Sequence, residues 1–231
     1  MTMPARDSQI EALFASDSVV AFVSEVTDSS VDTLRSEERV ATTPMRASRV
    51  AEFATARACA RAALGELGVD AAVPKQSSGA PLWPAGATGS ISHSRGYCVA
   101  VATRDQLRIG IDIEELGRMK PAIERRILVE EERSVLDDLQ AAQRRERVGA
   151  IFAAKEAFYK AHYEIEPRYL GFDAVAVQVK DQQISFASSS GAVPDTVLSA
   201  TAGRLIHRDG RVIVGVTIDV TGGDAPLPSA P

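Results

Sequence analysis

A chain of 231 residues, 45% hydrophobic and 25% charged, has a globular composition and is long enough for one large domain or two small ones. A net charge of -5 and a pI near 5.3, with no long Lys/Arg block, exclude nucleic acid as the natural partner. Cys59 and Cys98 lack CxxC spacing and are too few for a disulfide scaffold. No stretch reaches the roughly 18 apolar residues of a membrane span, and MTMPARDSQIEALFASD lacks the pattern of a secretory signal. The expectation is a cytoplasmic protein that engages neither membranes nor nucleic acid.

In chain order, Val19 to Val26 predicts a short strand, and Pro44 to about Leu67 a long Ala/Arg-rich helix ending near Gly68. Pro74 to Gly89 is dense in Gly, Pro and Ser and predicts a loop. Tyr97 to Thr103 and Arg108 to Ile113 predict two strands joined as a hairpin by Arg104 to Gln106. Helical patterning runs from Pro121 through Leu139 and, after a charged connector, from Arg147 to Tyr163. Strands are expected at Ala174 to Val179, Gln183 to Ala187, Thr196 to Thr201 and Val212 to Val220, with no convincing internal repeat. The fold class is α+β in two halves. Residues 1–117 form the first half, 118–220 the second, and 221–231 a Gly/Pro-rich tail expected to be disordered.

Four groups of residues carry chemistry. In Ile109-Gly110-Ile111-Asp112-Ile113-Glu114 an apolar strand ends in two carboxylates that share a face. Two adjacent acids repel unless a cation lies between them, and magnesium commonly takes one or two protein carboxylates and completes its shell with water and phosphate oxygens. A strand edge with solvated acids is the alternative. In Phe152-Ala153-Ala154-Lys155-Glu156-Ala157-Phe158-Tyr159-Lys160, Glu156 and Lys160 lie on one helical face, while Lys155 falls inside the apolar stripe of Val148, Ile151, Phe152, Phe158 and Tyr159. There Lys155 must snorkel or meet an anion, for which a phosphate would serve. In Gly89-Ser90-Ile91-Ser92-His93-Ser94, Ser92 and His93 face opposite sides of an extended backbone and no GxSxG elbow is present, so His93 suits phosphate binding better than hydrolysis. Arg57 and Arg61 share a helix face with Arg49 nearby, a row able to fork onto phosphate, or to remain solvated. His162 and His207 read as structural.

The segments GSISHS, GIDIE and FAAKEAFYK, in that order and spacing, resemble the three signature motifs of the Sfp-type 4'-phosphopantetheinyl transferases, in the enterobactin-synthase and mycobacterial carrier-activating branches. RVAEFATARACARAAL and GAPLWPAG add to the likeness, which covers Arg49 to Leu170. Phe152 stands where many members have Trp, Ala56 where Gly is common, and Ser94 where Cys or Thr is frequent.

The resemblance implies a monomeric pseudo-dimer of two similar α+β halves with the active site at their junction. It implies Mg2+, with Mn2+ as an alternative, held by Asp112, Glu114, Glu156 from the other half, and the Ile113 backbone. For coenzyme A it implies contacts from Arg49, Arg57, Arg61, Lys75, Gln76, Ser77, Ser78, Ser92, His93, Asp112, Lys155, Glu156, Lys160 and Leu170. Glu114, Lys160 and Glu156 are the implied catalytic groups, with Glu114 preferred over Lys160 or a metal-bound water as the base. The implied partners are apo acyl or peptidyl carrier domains of fatty-acid, polyketide, nonribosomal peptide or siderophore synthesis. A different magnesium-dependent phosphotransferase would need a Walker or kinase motif, which is lacking. A non-catalytic coenzyme A-binding regulator would have less need of the whole charged set.

Overall fold

The computed structural model describes residues 3–116 and 121–221, so the expected disordered tail lies outside the described residues from 222 onward. The chain divides into two units, one comprising the residues up to Ala12 with Ser16–Asp105, the other Leu13–Ala15 with the chain from Gln106.

In the first unit, β1 (Ala5–Arg6), α1 (Ser8–Glu11), β2 (Val20–Glu25), α2 (Ser36–Arg39), α3 (Ala47–Glu66), β3 (Thr88–Ser94) and β4 (Tyr97–Thr103) follow in order. The sheet runs β1-β2-β4-β3, antiparallel throughout. Strand alternation turns Val20, Phe22, Cys98, Ala100 and Ala102 toward Ala56, Cys59, Ala60, Ala63 and Leu64 of α3. The alanines leave the helix few side-chain atoms on that face, which lets it pack closely on the sheet.

In the second unit come β5 (Leu107–Glu115), α4 (Pro121–Ile127), α5 (Glu130–Leu136), α6 (Ala141–Tyr163), β6 (Val175–Lys180), β7 (Gln183–Ser188), α7 (Asp195–Ser199), β8 (Thr201–Arg208) and β9 (Arg211–Asp219). The sheet order is β5-β9-β8-β7-β6. Val212, Val214, Val216 and Ile218 of β9 meet Ala153, Ala154, Ala157, Phe158 and Ala161 of α6 in one core. Gly110 of β5 lies beneath the same helix, where a Cβ would fall 1.8 Å from the carbonyl oxygen of Ala157. Only glycine admits this approach, and it draws the carboxylate end of β5 against α6.

Several expectations change. The hairpin expected across Arg104 to Gln106 does not form: β4 pairs with β2 and β3, whereas β5 pairs with β9. The two-residue turns that do close hairpins carry positive φ angles, at Arg95-Gly96 (37° and 75°), at Asp209-Gly210 (50° and 71°) and at Asp181 of Asp181-Gln182 (55°), and Arg104 to Gln106 has none. The break between units therefore falls after Asp105 rather than at 117, and Asp112 and Glu114 belong to the same unit as Glu156 instead of facing it from another half. Thr196 to Thr201 is mainly helix α7, introduced by Pro194. Strands β3 and β8 were not anticipated, since GSISHS is poor in strand formers and the buried alternation of β8 runs through Gly203 and Leu205. Helix α6 starts at Ala141, because the charged segment before Arg147 forms its exposed first turns.

Each unit is also tied together by one buried glutamate. In the second unit Glu132 Oε1 accepts the Val177 N–H (2.7 Å), while Oε2 accepts the Val129 N–H (2.9 Å) and the Lys155 ammonium (2.9 Å). Lys155 also donates to the carbonyls of Ile127 (2.8 Å) and Phe172 (2.7 Å), so all three of its protons are used. In the first unit Glu38 Oε1 accepts the Val73 N–H (3.0 Å), while Oε2 accepts the Arg35 N–H (3.1 Å) and Arg61. Both glutamates sit three residues past a helix N-cap and reach back to its N–H. One residue further on, Arg39 binds the Leu34 carbonyl and Arg133 the Leu128 carbonyl. The pairs Glu38 and Glu132, Arg39 and Arg133, and Arg61 and Lys155 are separated by the same interval along the chain, a repeat that sequence inspection did not detect.

Two outcomes follow for denaturation experiments. Gly110→Ala should lose about 1–3 kcal/mol or more of stability, because the new methyl meets helix backbone rather than a movable side chain. Lys155→Met should lose about 3–5 kcal/mol, because it leaves the Glu132 charge buried without its partner.

Candidate active site

Gly110, Asp112 and Glu114 alternate onto the face of β5 that meets α6, opposite Val216, Val214 and Val212 of β9. Asp112 is only 5% exposed, and its Oδ1 accepts from Lys160 Nζ at 2.7 Å. The same ammonium donates to the Ile111 carbonyl at 2.9 Å, which fixes the last turns of α6 against β5. Glu156 lies one helical turn before Lys160. Burial, reinforced by the negative charge of Asp112 and opposed by Lys160, raises its carboxyl above the ordinary value of 4.5. One strand acid and one helix acid, Asp112 and Glu156, are thus close enough to act on one another, with Lys160 as the nearby positive charge.

The expected metal set of Asp112, Glu114, Glu156 and the Ile113 backbone is not preassembled. Among the described residues no group of three or more His, Cys, Asp or Glu side chains is arranged to hold a metal ion. The cation on Asp112 is instead the lysine ammonium.

Lys155 is not a phosphate ligand, a correction to the expectation. It is fully buried, the anion it meets is Glu132, and burial depresses its pKa against the pull of that carboxylate. Leu170 is likewise a core residue of the second unit. Tyr159, beside the acids on α6, donates its hydroxyl to the Gly171 carbonyl at 2.8 Å, and its ring packs at 5.9 Å from Phe172, which in turn lies 5.6 Å from Phe152. His162 is buried against Phe158, and His207 pairs with Glu146 at 3.4 Å.

The basic row of the first unit divides in two. Arg61 is spent internally on Glu38 and on Thr33, whose carbonyl and hydroxyl accept at 3.0 and 3.1 Å, and is removed from the ligand contacts. Arg57 is buried, its Nε donating to the Val73 carbonyl at 2.6 Å and its guanidinium lying 4.2 Å above the Phe53 ring; burial pushes its pKa down to about 10. That bond steadies the entry to the loop that holds the exposed Lys75, Ser77 and Ser78, which a Lys75–Pro81 bridge and the Gln76 side chain on the Pro81 carbonyl (3.1 Å) close. Arg49 is half-exposed and reaches both His93 Nε2 and Glu52 Oε2. Ser92 is buried and faces away from His93, because His93 and Ile91 pair with Cys98 and Ala100 on the side of β4 that meets α3. The sequence reading passed over Glu132 and Glu52. The recurring EER at Glu38 and Glu132 and the three-residue spacing of Arg49 and Glu52 were the signals available.

The raised carboxyl of Glu156 sets a testable sign. The folded state holds the Glu156 proton more firmly than the unfolded chain does, so ionisation weakens the fold above the ordinary carboxyl range. Glu156→Gln should therefore raise Tm at pH 7 relative to the unaltered protein. That advantage should vanish as the pH falls below 4.5, where the glutamate is protonated in both states.

The 4'-phosphopantetheinyl transferase N-terminal domain model matches residues 36–103, and the 4'-phosphopantetheinyl transferase superfamily model matches residues 108–208, so the two meet where the units divide. The 4'-phosphopantetheinyl transferase Svp of Streptomyces mobaraensis is 34% identical over 189 residues, 77% of this chain and 75% of its own. Npt of Nocardia iowensis is 36% identical over 150 residues, 64% and 67% of the two chains, and PptT of Mycobacterium tuberculosis 38% over 148 residues, 62% and 61%. Motif order, paired sheet-and-helix units and relatives that extend across both units converge on one assignment: the chain belongs to the 4'-phosphopantetheinyl transferase superfamily.

Proposed function

We propose that the protein transfers the 4'-phosphopantetheine arm of coenzyme A to a serine of an apo acyl or peptidyl carrier protein and releases 3',5'-ADP. The observation that carries this reading is the Lys160–Asp112 pair with Glu156 beside it, set on β5 and α6 of a chain that belongs to this superfamily.

The donor set fits a hard divalent cation: all three acids offer oxygen, and Glu156, its carboxyl raised chiefly by burial, also feels the negative charge of Asp112. Asp112, Glu114, Glu156 and the Ile113 carbonyl would hold Mg2+, or Mn2+, which would supply charge neutralisation for a bound diphosphate.

The carrier serine oxygen bonds to the β-phosphorus as the bond to the bridging oxygen of the diphosphate breaks, and the electron pair leaves with 3',5'-ADP. Lys160, which donates to Asp112 and to the Ile111 carbonyl, would offer a positive charge to those oxygens. Since Lys160 acts as a donor there, Glu114 takes the serine proton. Arg49, His93, Lys75, Gln76, Ser77 and Ser78 bind the nucleotide and its phosphates, and Arg57 supports their loop through Val73. This reading describes a monomeric enzyme of the cytoplasm, where buried free thiols such as Cys59 and Cys98 persist.

Mass spectrometry of an apo-carrier incubated with the protein, coenzyme A and Mg2+ should show one phosphopantetheine added at serine, and chelation of the metal should prevent it. Asp112→Ala should reduce turnover by roughly 10²-fold or more. An unmodified carrier in every combination tried would reject the function, and near-normal turnover in Asp112→Ala would reject the role of the acid cluster.

A further inference from the structure

We propose that Glu52 is a positioning residue for the pair Arg49 and His93, holding the guanidinium in place and balancing the imidazole once that ring carries a positive charge. The proposal rests on the assignment of Arg49 and His93 to a phosphate of coenzyme A.

The three side chains form a closed cluster within the first unit. Arg49 and Glu52 are three residues apart on α3, and the guanidinium donates to Glu52 Oε2 at 2.9 Å. His93, on the face of β3 that meets α3, receives the same guanidinium at Nε2 and turns Nδ1 toward the same carboxylate oxygen at 4.0 Å. Glu52 is 30% exposed at its side chain and is anchored from behind, where its backbone carbonyl accepts the Cys98 thiol at 3.6 Å.

A guanidinium has only donors, so the contact with Arg49 makes Nε2 an acceptor and puts the ring proton on Nδ1, the nitrogen facing Glu52. In that state His93 cannot donate from Nε2 to an anion. A phosphate oxygen arriving at the cluster gives Arg49 a new acceptor and frees Nε2, which takes a proton from solvent and donates it as a hydrogen bond. Two cations would then stand side by side, and the Glu52 carboxylate, in contact with one and facing the other, offsets their repulsion. Glu52 touches no substrate atom in this scheme and acts through its neighbours.

Simple electrostatics predicts the opposite. A carboxylate beside an anion site repels phosphate, so its removal should tighten binding unless it organises the cations. Calorimetric titration of coenzyme A into the full-length protein, with carrier-modification kinetics in parallel, decides the matter for the unaltered protein, Glu52→Gln, Glu52→Asp, His93→Gln and the Glu52→Gln/His93→Gln double variant. Glu52→Gln should weaken coenzyme A binding roughly tenfold, with KM rising and kcat nearly retained, and Glu52→Asp should recover part of the loss. In the His93→Gln background Glu52→Gln should change little.

Tighter binding in Glu52→Gln, or an equal loss with and without His93, overturns the positioning role while the unaltered enzyme still modifies its carrier. An unaltered protein that fails to bind coenzyme A instead removes the functional reading and this inference together. Should Glu52→Gln fail to fold, Glu52→Asp decides: weaker binding that depends on His93 supports the role, and unchanged binding overturns it.

Discussion

A carboxylate withdrawn from water must have its charge balanced and its lone pairs occupied, and Glu132 satisfies both demands by drawing together segments far apart in the chain. Its two oxygens take the start of α5, an N–H of β6 and a lysine of α6, and that lysine extends the network to the carbonyls ahead of α5 and before β6. The rotation of α6 about its own axis follows. With Lys155 pulled into the interior, the next residue, Glu156, lies at the margin of the helix's buried face, and Lys160, one turn later, reaches Asp112 and the Ile111 carbonyl. Gly110 completes the arrangement by letting helix and strand approach. The acid cluster stands on this interior network without sharing its hydrogen bonds.

The two lysines of one motif thus meet different fates for reasons of helical phase. Lys155 and Lys160 are five residues apart, well over one turn, so one faces inward and the other reaches the strand edge. Arg57 and Arg61 share a face, yet both bind protein acceptors: Arg57 the Val73 carbonyl, Arg61 Glu38 and Thr33. What marks Arg61 and Lys155 as structural cations is a buried acid partner. Glu38 and Glu132 are those partners, and their recurrence within EER is the sequence signal that sets them apart from other acids.

Features set by local pattern were legible from the sequence. The shared face of Asp112 and Glu114, the placement of Lys155 within the apolar stripe and the bounds of β4 all follow from strand and helix periodicity. What depended on distant pairing was not. The short link from Thr103 to Leu107 has the length of a hairpin but lacks the left-handed residues that would close one, so its strands joined different sheets. Strand β3, with its glycine and three serines, owes its form to the register it keeps with β4 rather than to intrinsic preference. The division of the chain moved with these pairings, which brought all three acids into one unit.

The recurring glutamate also puts the two units in register. Counting onward from the equivalent cations, the first unit has Ala62 and Glu66 where the second has Glu156 and Lys160, and Glu66 pairs with the surface residue Arg6. The two units thus share this framework of a buried glutamate and a cation while their outward-facing side chains differ. Among the described residues Asp112, Glu156 and Lys160 lie in the second unit, and the first unit presents Arg49, Glu52 and His93 instead.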